Sequence, residues 1–317
     1  GHTCASYSDE TALTAFAQAV DVITFEFENV PSDTLEFVAR LKPAHPDARA
    51  LAVTQDRLAE KNFVAKLGIA TTRYANAGGA IEARTAFAGI GTPAILKTRR
   101  FGYDGKGQRK IASAEDFDEA LSAMRGAPAI LERLVDFACE CSVIAARAAD
   151  GSFAAYDAPE NIHREQILRR SQVPSRLTEA QSAEAKAIAR RIADALDYVG
   201  VLAVEFFVTK DGALLVNEIA PRVHNSGHWT LEACASSQFE QHIRAIAGWP
   251  LGDPSRHCDA VMVNLIGADA EDWKALAAGP GALHLYGKKD IRPGRKMGHL
   301  TRLSALSAAG PSGATRD

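Results

Sequence analysis

Apolar and polar positions along the chain repeat with two periods, and the switches between them divide it into units. Residues 10–20 carry apolar side chains at helical spacing, and Val22 to Phe27 read as a strand. Pro31 and Ser32 open a second helix over 33–41, with Leu35, Val38 and Leu41 on one side. Residues 42–50, with Pro43, Pro46 and Asp47, read as a loop, and 55–67 as a helix closed by Gly68. This alternation predicts a parallel sheet covered by helices.

From about residue 92 the period of two takes over. Strands over 93–98, 109–112 and 129–134, with an amphipathic helix over 113–125 capped by Ser113, predict a compact β-β-α-β lobe spanning 92–134. A glycine-rich stretch, FGYDGKGQRK, joins its first two strands. Two more strands, 140–146 and 152–156, flank an Asp150-Gly151 turn. The strongest helix covers 179–197: Thr178 and Gln181 form a capping box, Ile188, Ile192 and Leu196 recur every four residues, and Gly200 closes it. Strands over 201–208 and 213–219, a helix over 230–247 and a small β-rich unit over 258–303 complete the pattern. The Ser/Ala/Gly-rich stretch 304–317 is expected to fray.

Composition narrows the function classes. A length of 317 residues allows two or three domains, and 47% hydrophobic with 24% charged residues is the balance of a soluble globular protein. A net charge of −3 leaves no electrostatic footprint for nucleic acid or an anionic membrane. No apolar run approaches the roughly 20 residues that cross a bilayer, and the first residues lack the basic and apolar regions of a signal peptide. Five cysteines without a Cys-x-x-Cys spacing, two of them (Cys139 and Cys141) on one face of a strand, predict reduced thiols and a cytoplasmic protein.

Candidate chemistry begins at a hairpin. If Asp211-Gly212 are its two turn residues, Lys210 faces Ala213 and Glu205 lies opposite Glu218, both in otherwise apolar strands. Facing like charges are destabilising unless neutralised, and a divalent cation shared with nucleotide phosphates would do so. The open alternative is a longer loop, or one glutamate turned to solvent. Just beyond, NEIAPRVHNSGHWT packs Arg222, His224, Asn225, Ser226 and His228 into a polar run suited to holding a phosphoryl group or another oxyanion. Zinc held by these histidines is the competing reading, with no cysteine nearby to support it.

Seven segments occur in order: QDRLAEK (55–61), ILKTRRFGYDGKGQ (95–108), ILERLVDFACECSV (130–143), ENIHREQIL (160–168), AVEFF (203–207), NEIAPRVHNSGHWT (217–230) and YGKKDIRPGRKMGHLT (286–301). Together they resemble the 5-(carboxyamino)imidazole ribonucleotide synthases, ATP-grasp enzymes of microbial purine synthesis, over nearly the whole chain. The resemblance implies an α/β (α+β) ATP-grasp fold: a partial Rossmann-like pre-ATP-grasp domain over 1–54, an ATP-grasp domain over 55–250, and a β-rich C-terminal domain over 251–317. It also implies ATP, Mg²⁺ and bicarbonate as cofactor and co-substrates, aminoimidazole ribonucleotide as acceptor, and a homodimer with no nucleic-acid or membrane partner.

Residue roles follow from the same resemblance. Arg57, Lys97 and Lys106 would meet the ATP phosphates, Glu132 and Leu134 the adenine, and Glu140 and His163 the ribose; Asn217 belongs to the same ATP set. Glu205 and Glu218 would hold the metal, and Arg222, His224 and Lys288 the bicarbonate and the carboxyphosphate made from it. Tyr103, Asn225, Ser226, Arg292, Arg295 and Glu26 would face the ribonucleotide, with Asp104 as its proton acceptor. Family members open with a first strand and a Gly-Gln-Leu-Gly-type turn that seats the substrate phosphate at a helix N-terminus. The present sequence starts beyond that turn; a polypeptide beginning at Gly1 is expected to have an incomplete imidazole site. The alternatives are another ATP-grasp ligase, such as a formate-using glycinamide ribonucleotide transformylase or a biotin carboxylase, and a non-catalytic ATP-binding subunit.

Overall fold

Short capped helices punctuate the N-terminal part of the structure, a computed structural model that describes residues 1–102 and 105–307. They are α1 (Glu10–Gln18), α2 (Ser32–Ala39), α3 (Ala48–Thr54) and α4 (Arg57–Lys66). Asp9, Asp47 and Asp56 cap α1, α3 and α4 by accepting backbone N–H groups of the first turn. The expected loop over 42–50 therefore ends in a helix start, because Asp47 is a cap rather than a turn residue. The expected strand over 22–27 does not form either. Only Ile23 finds a partner there, a parallel bridge to Ala44, and an isolated bridge is no ladder.

Next comes the small lobe: β1 (Tyr74–Ala77), α5 (Ala80–Ile90), β2 (Ala94–Thr98), β3 (Gln108–Ile111), α6 (Ala114–Ala123) and β4 (Ala129–Arg133). Its sheet runs β1-β4-β2-β3, so the predicted β-β-α-β unit gains a strand and a helix on its N-terminal side. Ala83, Ala86, Phe117 and Leu131 form its own core.

Beyond the lobe follow β5 (Phe137–Arg147), β6 (Phe153–Ala155), β7 (Glu160–Arg164), β8 (Ile167–Val173), α7 (Glu179–Ala195), β9 (Gly200–Thr209) and β10 (Leu214–Ala220). The C-terminal part holds α8 (Thr230–Ala233), α9 (Gln238–Ile246), β11 (Asp259–Ile266), α10 (Trp273–Ala278), β12 (Ala282–Leu285) and β13 (Lys296–Ser304). One nine-stranded sheet, ordered β10-β9-β5-β7-β8-β11-β13-β12 with β6 against β5, unites them. The C-terminal strands thus continue the central sheet through the β8–β11 pair. Both sheets pair antiparallel among the described residues; of the parallel sheet expected in the N-terminal part, the described residues show only the Ile23–Ala44 bridge.

The helix expected over 230–247 is split. Cys234 leaves it in an extended conformation and bridges to Arg256, and Ser237 restarts it by accepting the backbone N–H of Glu240. The capping box at Thr178 and Gln181 forms as expected, and α7 buries Ile188 and Ile192 against one face of the sheet. Tyr156, Trp229 and Met262 fill the other face.

Candidate active site

The hairpin places Glu205 opposite Glu218, and it does so by two departures from the simple count. Thr209 and Ala213 close the ladder, so the loop is Lys210, Asp211 and Gly212, with Gly212 at φ +90°. That extra loop residue moves the register by one. A bulge at Asn217, between the Val216–Phe206 and Glu218–Glu205 pairs, moves it back. The two shifts cancel, and both carboxylates reach the same side of the sheet.

The bulge has a partner the sequence reading missed. Lys61, on α4, is 3% exposed and donates to the carbonyl oxygens of Asn217 (2.8 Å) and Val216 (3.1 Å) and to the hydroxyls of Thr71 and Thr72. Beside it, Glu60 is equally buried and accepts the backbone N–H of Ile219 at 2.6 Å. Arg57, one turn earlier, donates to Glu218 (3.0 Å) and to the carbonyl of Gly102 at the root of the glycine-rich loop (3.2 Å). The i, i+3, i+4 spacing was the available signal, because it puts Arg57, Glu60 and Lys61 on one helix face. Such a charged stripe is ordinarily a solvated surface; here it is packed against β10.

Electrostatics separate the two glutamates. Burial raises Glu205, whose side chain is 13% exposed, and the nearby Glu218 adds to the effect, pushing it up to about 8. Burial also opposes ionisation of Glu218, but Arg57, Lys97 and Arg222 outweigh it and hold that carboxylate low. Glu60 is raised to about 8 by burial and by Glu218. His224 Nε2 lies 3.3 Å from Glu205, yet burial first, then Arg222 and Lys296, drives this imidazole well below its ordinary value. The contact is therefore between neutral groups at neutral pH.

A buried chain of hydroxyls and amides fixes His224. Its Nδ1 meets Ser226 Oγ (2.8 Å), Ser226 meets Ser142 (2.7 Å), Asn161 donates to Ser142 (2.9 Å), and Ser171 donates to Asn161 (2.7 Å). Ser226 is fully buried in this chain, so it supports the wall and does not face a substrate. Arg222 is held by Glu28 at 3.0 Å. Glu26, the expected acidic residue, is exposed and does not line the cleft, though its charge acts on Arg222; Glu28, two residues on, lines the cleft.

These groups line a cleft of about 500 Å³ between the small lobe and the main sheet. Lys97 and Glu132 face it as a buried ion pair (2.9 Å), with the second Glu132 oxygen unpartnered among the described residues. Leu134 and Lys106 line the same space. On the sheet side, Glu140 and His163 are joined at 2.8 Å; burial opposes the charge on His163, but its bond to Glu140 prevails and raises it. Asn225 pairs through both amide atoms with Asn264. Lys296, which the sequence reading passed over, lines the cleft. Lys288, Arg292 and Arg295 do not: they occupy an exposed turn, with Lys288 on the Lys296 carbonyl and both arginines on Asp290. Tyr103 and Asp104 lie outside the described residues.

In the glycine-rich loop, Gly107 has φ +73°, and a Cβ there would sit 2.5 Å from Thr98 Oγ1. The turn thus requires glycine for its backbone and for its approach to β2.

Comparison with known proteins agrees with this geometry. Residues 1–55 match the ribonucleotide synthetase preATP-grasp domain, 62–239 the ATP-grasp domain, and 260–309 the phosphoribosylaminoimidazole carboxylase C-terminal domain. An N5-carboxyaminoimidazole ribonucleotide synthase of Brucella melitensis is 50% identical over 302 residues, covering 94% of this chain and 83% of the relative. The crystal structure of the Staphylococcus aureus N5-carboxyaminoimidazole synthetase with ADP superposes with a TM-score of 0.91 at 35% identity, covering 95% of this chain and 81% of that one. That of the Aspergillus clavatus enzyme with ADP and 5-aminoimidazole ribonucleotide gives 0.89 at 30% identity, covering 96% and 83%.

Proposed function

The chain belongs to the N5-carboxyaminoimidazole ribonucleotide synthase family, and from that premise we infer that its cleft carries out the ATP-dependent carboxylation of 5-aminoimidazole ribonucleotide in purine biosynthesis. The observation that carries this reading is the Glu205–Glu218 pair, set in a cleft whose other charged groups are cationic or held in ion pairs.

The pair fits magnesium. Both donors are carboxylate oxygens, the donor type Mg²⁺ takes, and a bound cation would favour the ionised form of Glu205, which burial and Glu218 otherwise oppose. Bound there, Mg²⁺ would neutralise charge on the ATP phosphates. Arg57, Lys97 and Lys106 supply the remaining positive charge for the polyphosphate, with Arg57 tying the loop root at Gly102 to Glu218. Glu132 and Leu134 would meet the base, and Glu140 with His163 the ribose hydroxyls.

Bicarbonate and the carboxyphosphate formed from it would sit against Arg222, oriented by Glu28, and neutral His224, oriented by Ser226. Closure of the glycine-rich loop over this site would exclude water from a readily hydrolysed intermediate. Asn225 and Lys296 offer contacts to the ribonucleotide, and the basic turn with Lys288, Arg292 and Arg295 adjoins Lys296 and offers a seat for its phosphate. Asp104 is the proposed proton acceptor from the amine; turnover unchanged in Asp104→Asn would remove that role. No helix among the described residues is long and apolar enough to cross a membrane. We extend the reading to a cytoplasmic homodimer, for which exposed Ile243 and Trp249 offer apolar surface.

ADP release measured with each acid substrate tests the assignment. It should require Mg²⁺, bicarbonate and aminoimidazole ribonucleotide together, and fall at least about 100-fold in Glu218→Gln. A response to formate with glycinamide ribonucleotide instead, or ADP release indifferent to the imidazole, would refute it.

A further inference from the structure

Outside the cleft, three ligand-type side chains converge where α8 meets the C-terminal hairpin. His284 on β12 and His299 on β13 are direct cross-strand partners, with rings stacked 4.6 Å apart. Glu232 on α8 brings Oε1 to 2.6 Å from His284 Nε2. One ligand atom from each of the three lies within 4.8 Å of the others.

The Glu232–His284 contact accounts for only part of this cluster. Glu232 Oε2 and His299 Nε2 are both buried and have no hydrogen-bond partner among the described residues. An unpaired buried polar atom is costly, and two in one cluster point to a missing shared partner. The other nitrogen of His299 is already engaged, 2.8 Å from the Tyr286 hydroxyl. With Nδ1–H donating to that oxygen, Nε2 presents a lone pair toward the cluster, the outer-sphere arrangement metal-binding histidines use.

We propose that Glu232, His284 and His299 bind a transition-metal ion, zinc by their donor set, clamping α8 to the β12–β13 hairpin. Two imidazoles and one carboxylate are a zinc donor set, with a fourth position left for water; magnesium, the ion suited to Glu205 and Glu218, prefers oxygen alone. Zinc bonds of about 2.0–2.2 Å require the three ligands to draw together. The strand able to move is β12, the edge of the sheet, where the His284 side chain is 39% exposed. The clamp would also brace the cleft, since α8 follows the run holding His224 and β13 begins at Lys296.

The experiment is zinc titration of the full chain, stripped by a chelator, in competition with a chromophoric chelator, on wild type, His284→Ala, Glu232→Gln and Glu205→Gln. Expected are one tight zinc per chain, affinity lowered by at least about 10–100-fold in His284→Ala and Glu232→Gln, and no change in Glu205→Gln. Cobalt should give the absorption of a tetrahedral ion in wild type but not in His284→Ala, and zinc should raise the thermal midpoint of wild type and Glu205→Gln but not of His284→Ala. Failure of wild type to bind zinc, equal affinity in His284→Ala, or loss in Glu205→Gln alone would overturn the proposal.

Discussion

Replacing Glu205 by Gln separates the cost of the metal site from its use. In the folded, metal-free protein this carboxyl ionises near 8, against an ordinary value of 4.5, because it is buried and faces Glu218. A group raised in this way favours the fold at low pH and works against it as pH climbs from 4.5 to about 8. Each pH unit in that interval is worth about 1.4 kcal/mol, so by pH 7 the native glutamate costs roughly 3 kcal/mol. Glutamine keeps the shape and carries no charge, at the loss of up to about 1 kcal/mol for the contact with His224. The net expectation is a metal-free variant about 2 kcal/mol more stable than wild type near pH 7, with turnover abolished. Urea unfolding in the presence of a chelator at pH 5 and pH 7.5 measures it. Wild-type stability should fall more steeply across that range, by about one proton's worth, since Glu60 contributes its own slope to both proteins. Equal slopes, or a variant less stable at pH 7.5, would refute the reasoning.

Three further outcomes follow from named contacts. Lys61→Met removes a buried cation with four acceptors and should cost about 3–5 kcal/mol, read as a lower thermal midpoint; an unchanged midpoint would show that the Asn217 bulge holds without it. Ser142→Ala cuts the hydroxyl chain behind His224 and should lower kcat roughly tenfold, about 1.4 kcal/mol, with little change in KM for ATP. Equal kcat would mean that Ser226 alone orients the ring. Gly107→Ala puts a Cβ against Thr98 at a positive φ and should strain the loop by about 1–3 kcal/mol, raising KM for ATP in steady-state kinetics. KM at the wild-type value would remove the loop from nucleotide binding.

The helix over 179–197 was legible because its signals are local: cap, box and apolar spacing lie within one segment. The helix over 230–247 misled because the apolar period continues through Cys234 while the Ser237–Glu240 cap restarts the backbone. Glu26 and Glu28 look alike in the segment TFEFEN, and only the position of Arg222 selects the second. The glutamate pair was read correctly through a wrong intermediate, since the loop is one residue longer than assumed and the bulge compensates.

The linear order of residues carried the family, the two lobes and the facing carboxylates, because caps, turns and alternation act between neighbours in the chain. Folding in three dimensions settled which charges are buried and what each one meets. Lys61 reaches β10 across 155 residues to Val216, and Arg57 reaches Glu218 across 161. Desolvation and Coulomb interactions depend on spatial neighbours, which no local spacing encodes. For that reason the glutamates are hairpin partners in the sequence, while their different tendencies to ionise, like the meeting of His284, His299 and Glu232, exist only in the packed structure.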